Sequence, residues 1–576
     1  MRRLPVLLVL ALLRRVAVLS LLLVPLGCAT TPLARRQWLA VETPHFEIRS
    51  ALSPARTREL AVDLERFRST VAWAQGGALA PAAARIEVHA FDGRTLIRPF
   101  DLRGLPSYFL PEGDGGIVVL RTGGGFRGDA TLELRHELAH WVLRGAGGPS
   151  PPLWIDEGFA QLLSTIEVDD RGVEIGVLRE DHVRLIRGET WLPVERLLEA
   201  NPGDDWSDRR RFDAETWLLA HYLLLGQPSR TAVNQQLNRY LVLIGRGVAA
   251  GEAAATAFGG KLDRPLLRYA RRQRFDSLDV AIPAVESPEP RPVPPGEALL
   301  GLGRLSLAID RNEQAADYLE QALVVQPGEA RAHAALGEAY TRLGRADAAR
   351  EQLKLALGTG SGDPLVQRQA GAYYLGRAAR TKESEKREEL LRLARWHFEQ
   401  SLALAPSASV QASLASTSLL DGKEGQRALE AARTARELQP ASLELRLLQG
   451  QIELAAGNRG RARVLAREVW ARAHGEAERE KAQALLARSS SFPSRSQWLE
   501  GDPLDARRRA EGAPARRRIE DEDGVAVGAR HLVAGLDLEA KLEGSRPIDS
   551  ESLRIASDPL DLEDRRKRGL LGQDSL

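Results

Sequence analysis

Cysteine is almost missing from this chain: one, Cys28, stands in 576 residues. That excludes an internal disulfide framework and any metal site built on several thiolates. Neither sign of charge is in excess, with 80 Lys and Arg against 78 Asp and Glu. The Arg clusters alternate with Glu and lack interleaved aromatics, so they read as solvated helix faces and imply no nucleic-acid partner. An unbroken apolar run long enough to cross a bilayer is also missing. The N-terminal stretch 4–26 is interrupted by Arg14 and Arg15, and two buried guanidinium groups would be costly in an uncleaved anchor. Finally, the length excludes a single compact core and predicts three or four units.

What is present is concentrated from residue 136, where the chain reads HELAHWVLRGAGGPSPPLWIDEGF. The segment from Asp129 opens with an N-cap residue and carries Leu132, Leu134, Leu138 and Val142, so HELAH is expected inside a helix that ends in the Gly and Pro residues of 145–152. On that helix His136 and His140 are one turn apart on one face, able to reach a single metal ion. Glu137 lies beside them, off the ligand axis, where a carboxylate is suited to take a proton from a metal-activated water. A catalytic zinc usually takes a third protein ligand and leaves a position to water. Glu157, 17 residues beyond His140 at the start of the apolar helix 154–163, is the candidate. Asp156 and Glu157 also suit the positive end of that helix.

HELAH followed by PLWIDEGFA resembles the gluzincin metallopeptidases, in which a second helix of WxxEG type supplies the third zinc ligand. The resemblance implies Zn2+ bound by His136, His140 and Glu157, with Glu137 as catalytic base. It is specific over 133–163 and spans a domain of about 38–280. Two departures move the reading away from the aminopeptidase members. The gap to Glu157 is slightly shorter, and no GxMEN-like segment can exist because the only Met is residue 1. An endopeptidase is therefore expected. A group to steady the oxyanion is expected from 211–224, which resembles the downstream helix of peptidase-MA-like domains. Phe212 stands where a Tyr is common, leaving His221 as the candidate catalytic residue and Tyr222 beside it.

The N terminus resembles a bacterial lipoprotein signal: Arg14-Arg15, an apolar run from Val16 to Leu26, then Gly27-Cys28, with Pro25 where Leu is usual. The resemblance implies a signal peptide 1–27, lipidation at Cys28, and a chain anchored by lipid to a membrane of the bacterial cell envelope, on the extracytoplasmic, periplasmic side. Residues 38–125 read as mixed α/β, with strands at 38–49, 85–91 and 115–120 and a helix at 53–74. A mainly helical pattern runs from 154 to about 275, and the Pro-rich segment 281–296 reads as an extended linker.

After the linker a period of 34 residues emerges: Leu302-Gly303, Leu336-Gly337 and Ala370-Gly371 share one register. Ala315, Leu319 and Ala322 recur as Ala349, Leu353 and Ala356. The third unit, with Ala394, Phe398 and Pro406, carries 11 extra residues, since 371 to 394 spans 23 where 337 to 349 spans 12. Pro440 follows Pro406 by another 34, and Gly450, Ala462 and Ala466 mark a fifth unit. That is the length and small-residue register of tetratricopeptide (TPR) repeats, and the expectation is a helical stack over 297–475 that binds a protein partner. The charged tail 490–576 is expected to be disordered. The expected fold is thus an α+β zincin-like metallopeptidase domain followed by an all-α TPR solenoid. The expected function is a membrane-tethered zinc peptidase acting on a protein or peptide substrate. The rival is an inactive peptidase-fold scaffold that works in envelope assembly through its repeats.

Overall fold

The computed structural model describes residue 33, residues 35–490 and residues 545–547, leaving out 75–84, 103–104, 106, 113, 123–128, 146–150, 170–171, 189–190, 201–208, 247, 273–274, 283–284, 287, 422–424 and 474–475. The signal segment 1–27, Cys28 and the tail beyond 490, apart from 545–547, lie outside the described residues. No described helix is long and apolar enough to cross a membrane.

A six-stranded sheet organises the N-terminal unit. Its strands are β1 (Trp38–Glu42), β2 (Phe46–Ser50), β3 (Ile86–Asp92), β4 (Ser107–Glu112), β5 (Gly115–Thr122) and β9 (Arg291–Val293), in the order β4-β5-β3-β2-β1-β9. The β2–β3 and β3–β5 pairs are parallel and the others antiparallel. Successive side chains point to opposite faces, and both faces are covered. Ile48, Val88, Ala90, Val118 and Leu120 pack with Leu60, Leu64 and Phe67 of the helix Pro54–Ala74. Trp38, Ala40, Phe91, Ile117 and Val119 pack with Leu299, Leu302, Leu305 and Tyr318 of the first repeat. The repeat array is therefore built into the core of the unit it follows.

The segment 281–296 is more than a spacer for the same reason. Its residues 291–293 form β9 against Trp38–Ala40, and Pro292, lacking an N–H, sits at the outermost strand where no ladder bond is lost. At this junction Glu87 lies between Arg49 of the sheet and Arg304 of the first repeat, 3.2 Å away. Burial alone would raise the Glu87 carboxyl, but Arg304, His89 and Arg49 hold it well below the usual range.

A second sheet, β6 (Glu167–Asp169), β7 (Gly172–Ile175), β8 (Asp276–Val280) and β10 (Ser545–Pro547), interrupts the helical stretch that the pattern suggested. Helices Asp129–Gly145, Leu153–Ser164 and Arg209–Leu224 pack beside the main sheet. Arg135, next to the first histidine, is buried and donates to the Asp63 carboxylate and the Ile166 carbonyl, which fixes the motif helix against its neighbours.

From Pro295 to Ser490 the described chain forms five helix pairs and a closing helix, Glu476–Ser490, which extends past the expected end at 475. Leu319 and Phe398 occupy the spaces left by Gly303 and Gly371. The 11 extra residues form no loop. They are taken up in the helices, with 17 residues in Pro364–Arg380 and 21 in Ser384–Leu404 against 13 and 15 in the preceding pair. The later repeats return to the N-terminal unit. Asp114, in the turn between β4 and β5, accepts hydrogen bonds from Ser407 Oγ, Ser409 Oγ and the Ser409 amide at the start of helix Ala408–Asp421, a favourable place for a carboxylate. Arg144 of the motif helix donates to the Arg472 carbonyl at 2.9 Å.

Candidate metal centre

His136 and His140 sit on helix Asp129–Gly145, and Glu157 sits in the first turns of helix Leu153–Ser164. Gly158 sets how these helices stack on the next. A Cβ there would lie 2.6 Å from the Thr216 carbonyl oxygen and 3.2 Å from the Ala220 Cβ, so only glycine lets helix Arg209–Leu224 approach this closely. The three side chains converge. His136 Nε2 and His140 Nε2 are 3.1 Å apart, and Glu157 Oε2 is 3.4 Å from the first and 3.8 Å from the second. Among the described residues they form one cluster of ligand-type atoms within 4.8 Å of one another. Ligands bonded at about 2.0–2.1 Å to a tetrahedral zinc stand roughly 3.4 Å apart, so these donors fit that ion.

Further residues orient the cluster. Asp156 Oδ1 faces His140 Nδ1 at 3.1 Å, leaving Nε2 directed at the cluster. Burial would push the His140 imidazole down, but Asp156 and Glu157 outweigh it and raise it to about 9. Arg209 contacts Glu157 Oε1 at 2.8 Å and Asp213 at 2.9 Å. Its guanidinium carbon lies 5.4 Å from the centre of the Phe212 ring. Burial pushes the Asp213 carboxyl up to about 6 against the pull of Arg209. Asp156 was visible in the sequence only as a helix-start residue. Arg209 and Asp213 carried no signal beyond an i,i+4 ion pair.

Glu137 is exposed on the same helix and borders a cleft of about 250 Å³ with Phe109, Pro111, Trp141 and Arg144. The Phe109 and Trp141 rings meet at 5.1 Å. β4 is an edge strand, and the Phe109 ring lies over Gly116, where a Cβ would come within 2.2 Å of it.

His221 does not face this cleft, which corrects the sequence expectation. It is fully buried, with Nδ1 2.8 Å from the Tyr269 hydroxyl and Nε2 3.2 Å from the Gly176 carbonyl. Both ring nitrogens serve the core. Tyr222 packs on Tyr269 at 5.2 Å, and Phe212 is fully buried. Burial lowers the His221 imidazole from near 6.5 to about 4. The unfolded chain therefore takes up a proton at His221 before the folded one does, and stability is lost as pH falls from 6.5 towards 4. The stability advantage of wild type over His221→Gln in urea unfolding is expected to shrink by about 1.4 kcal/mol per pH unit across that window. A pH-independent difference would contradict the assignment. His182, by contrast, is held down at about 4 by burial and by the nearby Arg179, with His136 adding a smaller push in the same direction.

Residues 306–370 match the tetratricopeptide repeat family. Solved structures similar to the chain include a thermophilic TPR protein of Thermus thermophilus, at 19% identity over 33% of this chain and 99% of that one, TM-score 0.31. Pseudomonas aeruginosa PilF matches at 20% identity over 47% and 97%, TM-score 0.24. YrrB, a TPR protein with an unusual peptide-binding site, matches at 14% identity over 32% and 91%, TM-score 0.25. No curated protein matches the chain. Repeats of that family suggest protein–protein interaction.

Proposed function

We propose that this chain is a zinc-dependent peptidase, an endopeptidase whose repeats bind a protein or peptide. The convergence of His136, His140 and Glu157 carries the reading, because three such donors around one point, with an exposed carboxylate beside them, are the parts that metal-assisted hydrolysis needs. A zinc ion held there supplies a Lewis acid for a peptide carbonyl and lowers the pKa of a water molecule. Glu137 takes the proton of the attacking water on its carboxylate and delivers it to the departing amine. Asp156 holds the His140 ring through Nδ1, and Arg209 holds Glu157 through Oε1, so both ligand atoms stay aimed at one point. The edge strand β4 offers main-chain groups to an extended substrate, and the Phe109–Trp141 pair offers an apolar contact.

The test is elemental analysis of the purified protein in non-chelating buffer. About one equivalent of zinc is expected for three protein ligands and an open position, and less than about a tenth would overturn the metal assignment. A second reading, favoured by the repeat match, is a scaffold that keeps the fold without the chemistry. Zinc-loaded protein that leaves unfolded substrates intact would support it. We further propose that the chain is tethered by lipid at Cys28 on the outer side of a bacterial membrane. Incorporation of labelled fatty acid is expected to vanish in Cys28→Ser, and unchanged incorporation would refute the tether.

A further inference from the structure

We infer that the repeats complete the substrate cleft, and that the occupant they select is an extended peptide bearing a basic side chain. The inference rests on the peptidase reading for what happens to that peptide, and not for its binding. The cleft beside Glu137 has one wall from the N-terminal unit and the other from the repeats. Phe109 and Pro111 of β4 and Trp141 of the motif helix face Leu443, Glu444 and Glu478. Contacts on both sides hold the two walls together. Asp114 is bonded to Ser407 and Ser409, Arg144 is bonded to the Arg472 carbonyl, and Ala441 is buried in the same core as the motif helix.

Charge decides the occupant. Among the described residues, three carboxylates line the cleft, Glu137 from one wall and Glu444 and Glu478 from the other, against a single cation, Arg144. That cation is already engaged by the Arg472 carbonyl at 2.9 Å and stands 3.9 Å from Asp156. Glu444 is exposed and Glu478 half-exposed, so both are open to a ligand. A peptide added to the edge of β4 presents alternate side chains to the two walls. A Lys or Arg on the repeat side meets the two glutamates, while an apolar neighbour meets Phe109 and Trp141. Glu444 and Glu478 are then specificity-determining residues contributed by the repeats.

The experiment uses the full chain carrying Glu137→Gln and two fluorescein-labelled unstructured peptides, identical but for two Lys in one and two Glu in the other. Binding is read by anisotropy. The Lys peptide is expected to bind about tenfold more tightly, from two partly screened ion pairs, with the preference fading at high salt. Adding Glu444→Gln and Glu478→Gln should remove the preference, and Glu444→Lys with Glu478→Lys should reverse it. Equal binding of the two peptides, or a preference that survives both pairs of replacements, would overturn the inference. The readout needs no turnover. Selective binding without any cleavage by the zinc-loaded chain that keeps Glu137 would sink the peptidase reading alone, and cleavage by that chain indifferent to Lys would sink this inference alone.

Discussion

Glu137→Gln is expected to lower the turnover of an unfolded protein substrate by about a thousandfold, the usual scale of a lost general base, while bound zinc stays at the wild-type level. The amide has nearly the shape of the carboxylate but cannot accept the proton that the attacking water must lose. Glu137 also lies outside the cluster formed by His136, His140 and Glu157, so its replacement leaves the donors untouched. The comparison with Glu157→Gln is what makes the test sharp, because that change removes a donor and should lose the metal along with the activity. Cleavage measured beside elemental analysis separates the two. Activity that persists in Glu137→Gln would remove the base from the mechanism.

Gly158→Ala is expected to destabilise the protein by about 2 kcal/mol, the scale of an overpacked core, although the same exchange in an ordinary helix interior stabilises by roughly 1 kcal/mol. The sign is inverted by the neighbour. The added Cβ would meet the Thr216 carbonyl oxygen at 2.6 Å, a backbone atom that cannot swing aside. Helices Leu153–Ser164 and Arg209–Leu224 must part, and Glu157 and Arg209 lie on opposite sides of the gap. Zinc affinity should fall by about tenfold or more, as when an orienting contact is lost. Urea unfolding and a zinc titration check both effects. A stabilised variant with unchanged affinity would show that the helices do not need their close approach.

Local signals were legible and distant ones were not. The spacing His136-x-x-x-His140 fixes a shared helix face by itself, and the small residues at 303, 337 and 371 announce the stack by their period. The strands expected at 38–49, 85–91 and 115–120 from alternation and turn residues lie within two residues of β1 with β2, β3 and β5. Asp114 capping a helix that starts 294 residues later left no mark, because neither partner's neighbours depend on the other. Arg209, Asp213 and the Phe109–Trp141 contact escaped notice for the same reason. His221 misled because an apolar helix with one histidine looks alike whether the ring faces a cleft or a core. Only the partners Tyr269 and Gly176 distinguish the two, and both come from elsewhere in the chain.

The strand β9 has a consequence for timing. It closes the sheet against β1 across more than 250 residues of sequence, and the helices that cover Trp38, Phe91 and Val119 follow it directly. A chain emerging from its N terminus holds all three candidate zinc donors long before it can shield that face of the sheet. The opposite wall of the cleft, at 441–478, arrives later still. The candidate donors at 136–157 are thus synthesised well before the residues at 441–478 that close the cleft beside Glu137.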